Sequence, residues 1–360
     1  MTGPDVRTRT SAERFRLGRR IVGVDAARGL ALVGMFVAHL APDPPEGTVG
    51  AVALSLADER PRLLFALTAG IGLGLLTGGA VPAGADQRAE LRRQVAVRAV
   101  LLLLLGLALA TFLRPLASVI LDEYGIAFLL LLPLLFLPRG VLLGIGAGLL
   151  ALAPGAAVAL AATDAVGDAR GGAWRLVVDW FVAGAYPVPV WVGVMLIGVA
   201  IARADLLRPA TASAMALAGS AAAVTCVPAA AWVRDVGAPA DAAVAESLAA
   251  IGNVGVGLVV TAALVGATQW GGERMRRASR ITLAPFTAMG AMPLTVYTAH
   301  IVVVSQAIRV EDGALADDSW PLLVLTVAGS MLFALAWGRW VGRGPLEALF
   351  RLLSGRDRTA

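Results

Sequence analysis

Charge is scarce in this 360-residue chain: 15% of residues are charged and 6% aromatic, against 58% hydrophobic and a mean hydropathy of +0.78. A soluble domain carries roughly a quarter of its residues as charge, so water is excluded as the solvent for most of this surface. Lysine is missing altogether; the 30 basic residues are all arginine. They gather in alternate loops between apolar runs, which is a topology signal rather than a nucleic-acid footprint, and no nucleic-acid partner is expected despite the net charge of +5. With one cysteine, Cys226, and two histidines, the chain offers no cluster for zinc, haem or iron–sulfur ligation and no intramolecular disulfide.

What is present is a series of apolar runs near the roughly 20 residues that cross a bilayer. They predict an all-α, polytopic helical bundle of about ten transmembrane helices with both termini cytoplasmic. The expected spans are 21–40, 62–79, 97–113, 118–137, 140–162, 186–202, 210–232, 248–268, 282–306 and 320–341. Residues 1–20, with Arg7, Arg9, Arg14, Arg16, Arg19 and Arg20, form a basic cytoplasmic tail; 21–341 form the membrane domain; 342–360 form a cytoplasmic amphipathic tail. In that tail Leu346, Leu349, Phe350 and Leu353 share a face, with Glu347 and Arg351 as an i, i+4 pair beside them. Segment 163–185 is expected as an external loop. The run from Ile21 to Leu40 is too long for a signal-peptide core, holds Asp25 and Arg28, and leads straight into further spans. Gly70, Gly72, Gly74 and Gly78 have neither a preceding strand nor a closing Gly-Lys-Ser/Thr, so they read as helix-packing positions, as do Gly252, Gly255 and Gly257. Such faces permit a homodimer.

Ionisable residues inside a membrane helix are costly and mark functional sites. The first span holds Val24-Asp25-Ala26-Ala27-Arg28-Gly29-Leu30 and ends near His39. Arg28 and His39 are 11 positions apart, near three helical turns, and so face one way about 16 Å apart along the axis. Asp25, at i−3 from Arg28, lies on nearly the same stripe. This face suits an elongated ligand such as an acyl thioester carrier. The alternative is a structural Asp25–Arg28 ion pair with an interfacial His39.

The pattern Asp25, Arg28, ten residues, His39 resembles the first-helix motif of the membrane acyltransferase-3 family. The opening also resembles the YeiB-like bacterial membrane proteins (domains of unknown function 418 and 1624), related to lysosomal heparan-α-glucosaminide N-acetyltransferase. Three further stretches favour that second group: Leu121-Asp122-Glu123-Tyr124-Gly125-Ile126, Pro293-Leu294-Thr295-Val296-Tyr297 with His300, and Gly344-Pro345-Leu346-Glu347. The resemblance implies transfer of an acyl group, commonly acetyl, from cytosolic acyl-CoA to a sugar or glycolipid acceptor across a bacterial-type plasma membrane. It implies His39 as the catalytic histidine and Arg28 as a residue organising the donor. His39 follows the acyltransferase-3 pattern; the lysosomal branch has Asn there and places its histidine in the following loop.

Acyl transfer needs a base for the acceptor hydroxyl or amine, and neutral imidazole suits that work near pH 7. His39 and His300 are the candidates of that type, and both fall toward the outer halves of outward-running helices. Tyr297 at i−3 from His300 is placed to hold a ring or an acceptor hydroxyl, and Asp122 or Glu123 to orient an imidazole. Arg20, Arg28, Arg98, Arg139 and Arg203 lie at inner helix ends, where donor phosphates need cations; Arg28 ranks first and Arg98 second. A small-molecule or lipid-linked transporter is the rival reading, against which stands the lack of matching halves.

Overall fold

The computed structural model describes residues 20–44, 48, 50–51, 54, 57, 59–185, 187–238, 241–311 and 313–355. The basic tail, apart from Arg20, lies outside the described residues. Among them, six helices are long and apolar enough to cross a bilayer. These are α1 (Val22–Leu40), α3 (Ala85–Ala108, prolonged by a π-helical turn, Leu109–Leu113), α5 (Arg139–Ala161), α9 (Pro209–Val236), α10 (Ala242–Gln269) and α14 (Trp320–Trp340). Two bent pairs raise the number to eight if each is one span: α7 (Arg175–Val178, running into the π-helical turn Asp179–Ala183) with α8 (Val188–Arg203), and α12 (Ala284–Ala291) with α13 (Pro293–Gln306). The two remaining expected spans are also helices, α2 (Glu59–Leu76) and α4 (Leu121–Leu131). Glu59, Arg60 and Arg62 charge the first turn of α2, and α4 has 11 residues, so neither is a span by length and hydropathy. The chain reads as an all-α multi-pass membrane protein; the described residues also hold a ten-residue helix, α11 (Glu273–Thr282), and an antiparallel hairpin, β1 (Arg309–Glu311) against β2 (Ala314–Ala316).

The expected continuous helix 282–306 breaks at Met292, where α12 and α13 meet at 90°. Pro293 has no N–H to continue the ladder and disfavours helical geometry at the residue before it; Met292 accordingly sits at φ −134°, ψ 54°. Segment 163–185 is not an open loop either, but holds α6 (Asp164–Arg170), α7 and its π-helical turn. The expected span 118–137 is helical only through α4, then turns as far as Leu137.

α8 is the most buried of the long helices, with 14 of its 16 residues buried; α1 and α10 each have 56% of their span buried, whereas α9 and α14 have 17% and lie at the periphery. α1 packs on α2, α10, α12, α13 and α14; α8 packs on α2, α5 and α4. Leu32 and Phe36 of α1, Leu67 and Ile71 of α2, and Met195 of α8 are fully buried in the core. The α2–α8 crossing confirms the packing role of Gly70: a Cβ there would lie 2.1 Å from the Met195 carbonyl oxygen. Gly252 and Gly255 in α10 meet Val227 and Gly219 of α9 in the same way. At the α1–α12 crossing a Cβ on Gly290 would lie 1.8 Å from the Asp25 carbonyl oxygen, and one on Gly29 1.9 Å from that of Phe286.

Gly290→Ala should therefore lower stability by about 1–3 kcal/mol, the usual range for forcing atoms into a packed interior. Gly148→Ala, where nothing lies within 4 Å, should leave it unchanged. Thermal unfolding of both variants in one detergent checks this, and equal midpoints would contradict it.

Candidate active site

Arg28 is the hub of the site. Its Nη1 donates to Asp25 Oδ1 (3.3 Å) and to the Gly290 carbonyl (3.2 Å), and its Nη2 donates to the Thr68 carbonyl (2.8 Å). One guanidinium thus joins α1, α2 and α12. Both acceptors outside α1 are backbone carbonyls, the second freed beside the break at Met292.

A cavity of about 390 Å³ opens beside it. Arg20, Asp25, Arg28, Arg98, Tyr124 and Tyr297 line it, with Arg343, Arg351 and an apolar wall that includes Phe65, Leu73, Leu102 and Phe128. Arg28, Asp25 and Arg98, expected at the donor's site, and Tyr297, expected to hold a ring or an acceptor hydroxyl, therefore share one space. The motif stretches around Asp25, Tyr124 and Pro293-Leu294 come from three distant parts of the chain and meet there too. Tyr124 is buried against Phe65, Phe128 and Trp191, yet its hydroxyl has no hydrogen-bond partner among the described residues. A buried hydroxyl costs free energy unless something bonds to it, and this one belongs to a side chain in the cavity wall.

The two histidines are brought together from α1 and α13. His39 Nδ1 lies 2.9 Å from His300 Nε2, with the rings nearly parallel at 5.1 Å between centroids. His300 is fully buried, stacked on Phe36 at 4.5 Å, and its Nδ1 lies 3.0 Å from the Tyr297 carbonyl; His39 is half-buried. These contacts fix the tautomers. A carbonyl only accepts, so His300 Nδ1 carries the hydrogen. The neutral ring then accepts at Nε2, and His39 must donate from Nδ1. The lone pair of the dyad is left on His39 Nε2, on the less buried ring. Tyr297 links the dyad to the cavity: it lines the cavity, its ring lies 5.3 Å from that of His300, and its hydroxyl accepts from the Ile120 N–H at the start of α4 (3.1 Å).

Asp122 is not part of this dyad. Its Oδ2 accepts from Trp180 Nε1 at 2.8 Å, tying α4 to the π-helical turn before α8. Among the described residues, the hydrogen bonds of His39 and His300 run to each other and to the Tyr297 carbonyl, and not to the carboxylate of Asp122. Arg203 is likewise structural: buried, it donates to the carbonyls of Gly74, Thr77, Gly79 and Leu135 and to the Thr77 hydroxyl, closing the C-terminal end of α2. Arg139 does not line the cavity.

Sequence reasoning missed the C-terminal contribution. In α15 (Pro345–Leu353), which packs on α13 and α3, Glu347 sends its carboxylate to the start of α13. Its Oε1 accepts from the N–H groups of Leu294 (2.7 Å) and Thr295 (3.2 Å), and its Oε2 from the Thr295 hydroxyl (2.5 Å). The N-terminal amides exposed by the break at Pro293 are capped by a residue more than fifty positions away. The Gly344-Pro345-Leu346-Glu347 and Pro293-Leu294-Thr295 motifs are thus one contact. Gly344 is needed in it, since a Cβ there would lie 2.2 Å from Glu347 Oε2.

Residues 200–356 match the family model described as Protein of unknown function (DUF418). The match extends over less than half of the chain. It covers α13 with His300 and the whole Glu347 contact, and leaves α1 and α4 outside. No curated protein matches the chain.

Glu347→Gln keeps the shape and removes the charge that caps α13. Hydrogen bonds to a charged group contribute about 1.5–3 kcal/mol, so this variant should unfold at lower temperature and release α15 to limited proteolysis. Unchanged proteolysis of the C-terminal segment would show that the cap does not hold it.

Proposed function

We propose that this protein is a membrane-bound acyltransferase that takes an acyl group, acetyl in the simplest case, from cytosolic acyl-CoA. It passes the group to a hydroxyl or amine of an extracytoplasmic sugar or glycoconjugate. The observation that carries the reading is the arginine-lined cavity whose wall residue Tyr297 abuts the His39–His300 dyad. In this reading α2 and α4 complete ten passes, both termini are cytoplasmic, and the membrane is a bacterial-type plasma membrane. The relation to heparan-α-glucosaminide N-acetyltransferase, drawn from the motif order, favours a sugar acceptor.

His39 Nε2 takes the proton from the acceptor as its oxygen or nitrogen attacks the thioester carbon. The new ester or amide bond forms, the carbon–sulfur bond breaks, and the departing thiolate receives the proton from His39. His300 acts as a positioning residue: its Nε2 accepts from His39 Nδ1 throughout, held by the Tyr297 carbonyl. Arg28 binds the donor's polar arm. The apolar wall of Phe65, Leu73, Leu102 and Phe128 takes its methylenes.

One observation favours a carrier. A discontinuous helix beside a cavity is a transporter feature, and a second cavity of about 270 Å³, with Glu59, Arg62, Glu246 and Trp191, lies at the other end of α2. The rings of Trp191 and Tyr124, 5.2 Å apart, stand between the two.

Vesicles reconstituted with the purified protein and acetyl-CoA labelled in both its acetyl and CoA parts separate these readings. Acyl transfer leaves free CoA thiol on the side where acetyl-CoA was added, with the acetyl label in the acceptor; transport carries both labels across together. His39→Ala should cut transfer by about 10²–10⁴-fold, the usual contribution of a positioned base. His300→Gln, whose amide oxygen accepts from His39, should retain more activity than His300→Ala. Wild-type transfer rates in His39→Ala would overturn the mechanism. Acetyl-CoA should also raise the melting temperature of wild type but not of Arg28→Ala.

A further inference from the structure

The arginine cavity does not end at the residues the proposed chemistry uses. A second space of about 190 Å³ adjoins it, and the two share Arg20, Arg28, Arg98, Arg343 and Arg351 in their walls. Among the described residues, the charged groups facing them are these five guanidiniums and two carboxylates, Asp25 and Glu347, a formal excess of +3. Both carboxylates have fixed duties: Asp25 accepts from Arg28, and Glu347 caps α13. Like charges gathered beside an apolar wall repel one another more strongly than in water, so the excess calls for a polyanion.

The fold also fixes the C-terminal cations. Arg343 and Arg351 lie four positions on either side of Glu347, whose bonds anchor α15 to α13. Phe350 is buried, and Arg93 Nη2 donates to the Ser354 carbonyl at 3.4 Å, holding the end of α15 to α3. Gln94 and Ser354 add neutral polar groups to the smaller space.

We infer that the C-terminal helix builds a phosphate-binding mouth on this cavity, in which Arg343 and Arg351, with Arg20 and Arg98, bind a ligand bearing two or more phosphate groups. Guanidinium forks match phosphate oxygens bidentately, which several arginines in one small space can exploit. The inference deepens the proposed function, since acyl-CoA is such a ligand, but its charge argument needs no acyl chemistry. Two sources share the chemistry: a soluble diphosphate and the headgroup of a lipid such as cardiolipin.

Full-length protein in an uncharged detergent is titrated with inorganic pyrophosphate, free CoA, pantetheine without phosphates, and cardiolipin, following the melting temperature. Pyrophosphate and CoA should stabilise wild type, pantetheine far less, and added salt should weaken the effect. The double variant R343A/R351A should bind CoA about tenfold more weakly or worse, while R139A, outside the cavity, behaves as wild type. If the double variant does not fold, R351A and R343K/R351K serve, the lysine pair retaining charge and giving an intermediate loss. Stabilisation by cardiolipin but not pyrophosphate, lost in the double variant, assigns the mouth to a lipid headgroup. Unchanged CoA and cardiolipin affinity in the variants, or no stabilisation by any phosphate compound, overturns the inference. Acetyl transfer with an unchanged KM in the double variant removes the mouth and leaves the acyltransferase reading intact. Arginine-dependent pyrophosphate binding without any acyl transfer does the reverse.

Discussion

A guanidinium held among apolar helices must find its acceptors inside the protein, and Arg28 finds them on three helices: Asp25 on its own, Thr68 on α2 and Gly290 on α12. Leaving such a charge unpaired in a membrane interior would cost several kcal/mol. The surrounding geometry follows from meeting that demand. α12 approaches so closely that Gly29 and Gly290 cannot carry side chains. Its short length and the break at Met292 leave the Gly290 carbonyl beside α1, and the amides freed on the far side of the break at Pro293 are met by Glu347.

The same break organises the chemistry. A continuous helix over 282–306 would satisfy its own backbone and leave nothing for α1 or α15 to bond. Broken, it places Pro293, Leu294 and Tyr297 in the cavity wall and His300 one turn further on, against His39. The dyad is polar, buried on one side and fully connected: carbonyl to His300, His300 to His39. Such a chain leaves one free acceptor nitrogen, on the ring with greater access. The cavity and the dyad thus meet at Tyr297.

The charge distribution makes the cavity asymmetric. Its arginines come from the start of α1, from α3 and from the C-terminal segment, while its apolar wall comes from α2, α3 and α4. An elongated ligand with an anionic head and a flexible arm fits that division better than a compact solute. The second cavity has the opposite character, with the carboxylates Glu59 and Glu246 against the guanidinium of Arg62.

Much was legible in the chain before folding, because bilayer thickness fixes span length and desolvation makes intramembrane charges conspicuous. The apolar runs predicted helices over all ten segments, Gly70 and Gly255 read as packing positions, and Asp25, Arg28, His39 and His300 stood out as polar residues in apolar surroundings. Helical period placed Asp25 and Arg28 on one face, and they are bonded. Tertiary structure alone decided which partners each group met. Asp122 went to Trp180 because segment 163–185 folds inward. Arg203 was consumed by the carbonyls at the end of α2, and Arg343 and Arg351 joined the cavity because Glu347 caps a helix start more than fifty residues before it. Local sequence sets how often a polar group appears and which way it faces along its own helix. Which donor meets which acceptor across helices depends on backbone approach and on where a helix breaks, and those are settled only when the bundle closes.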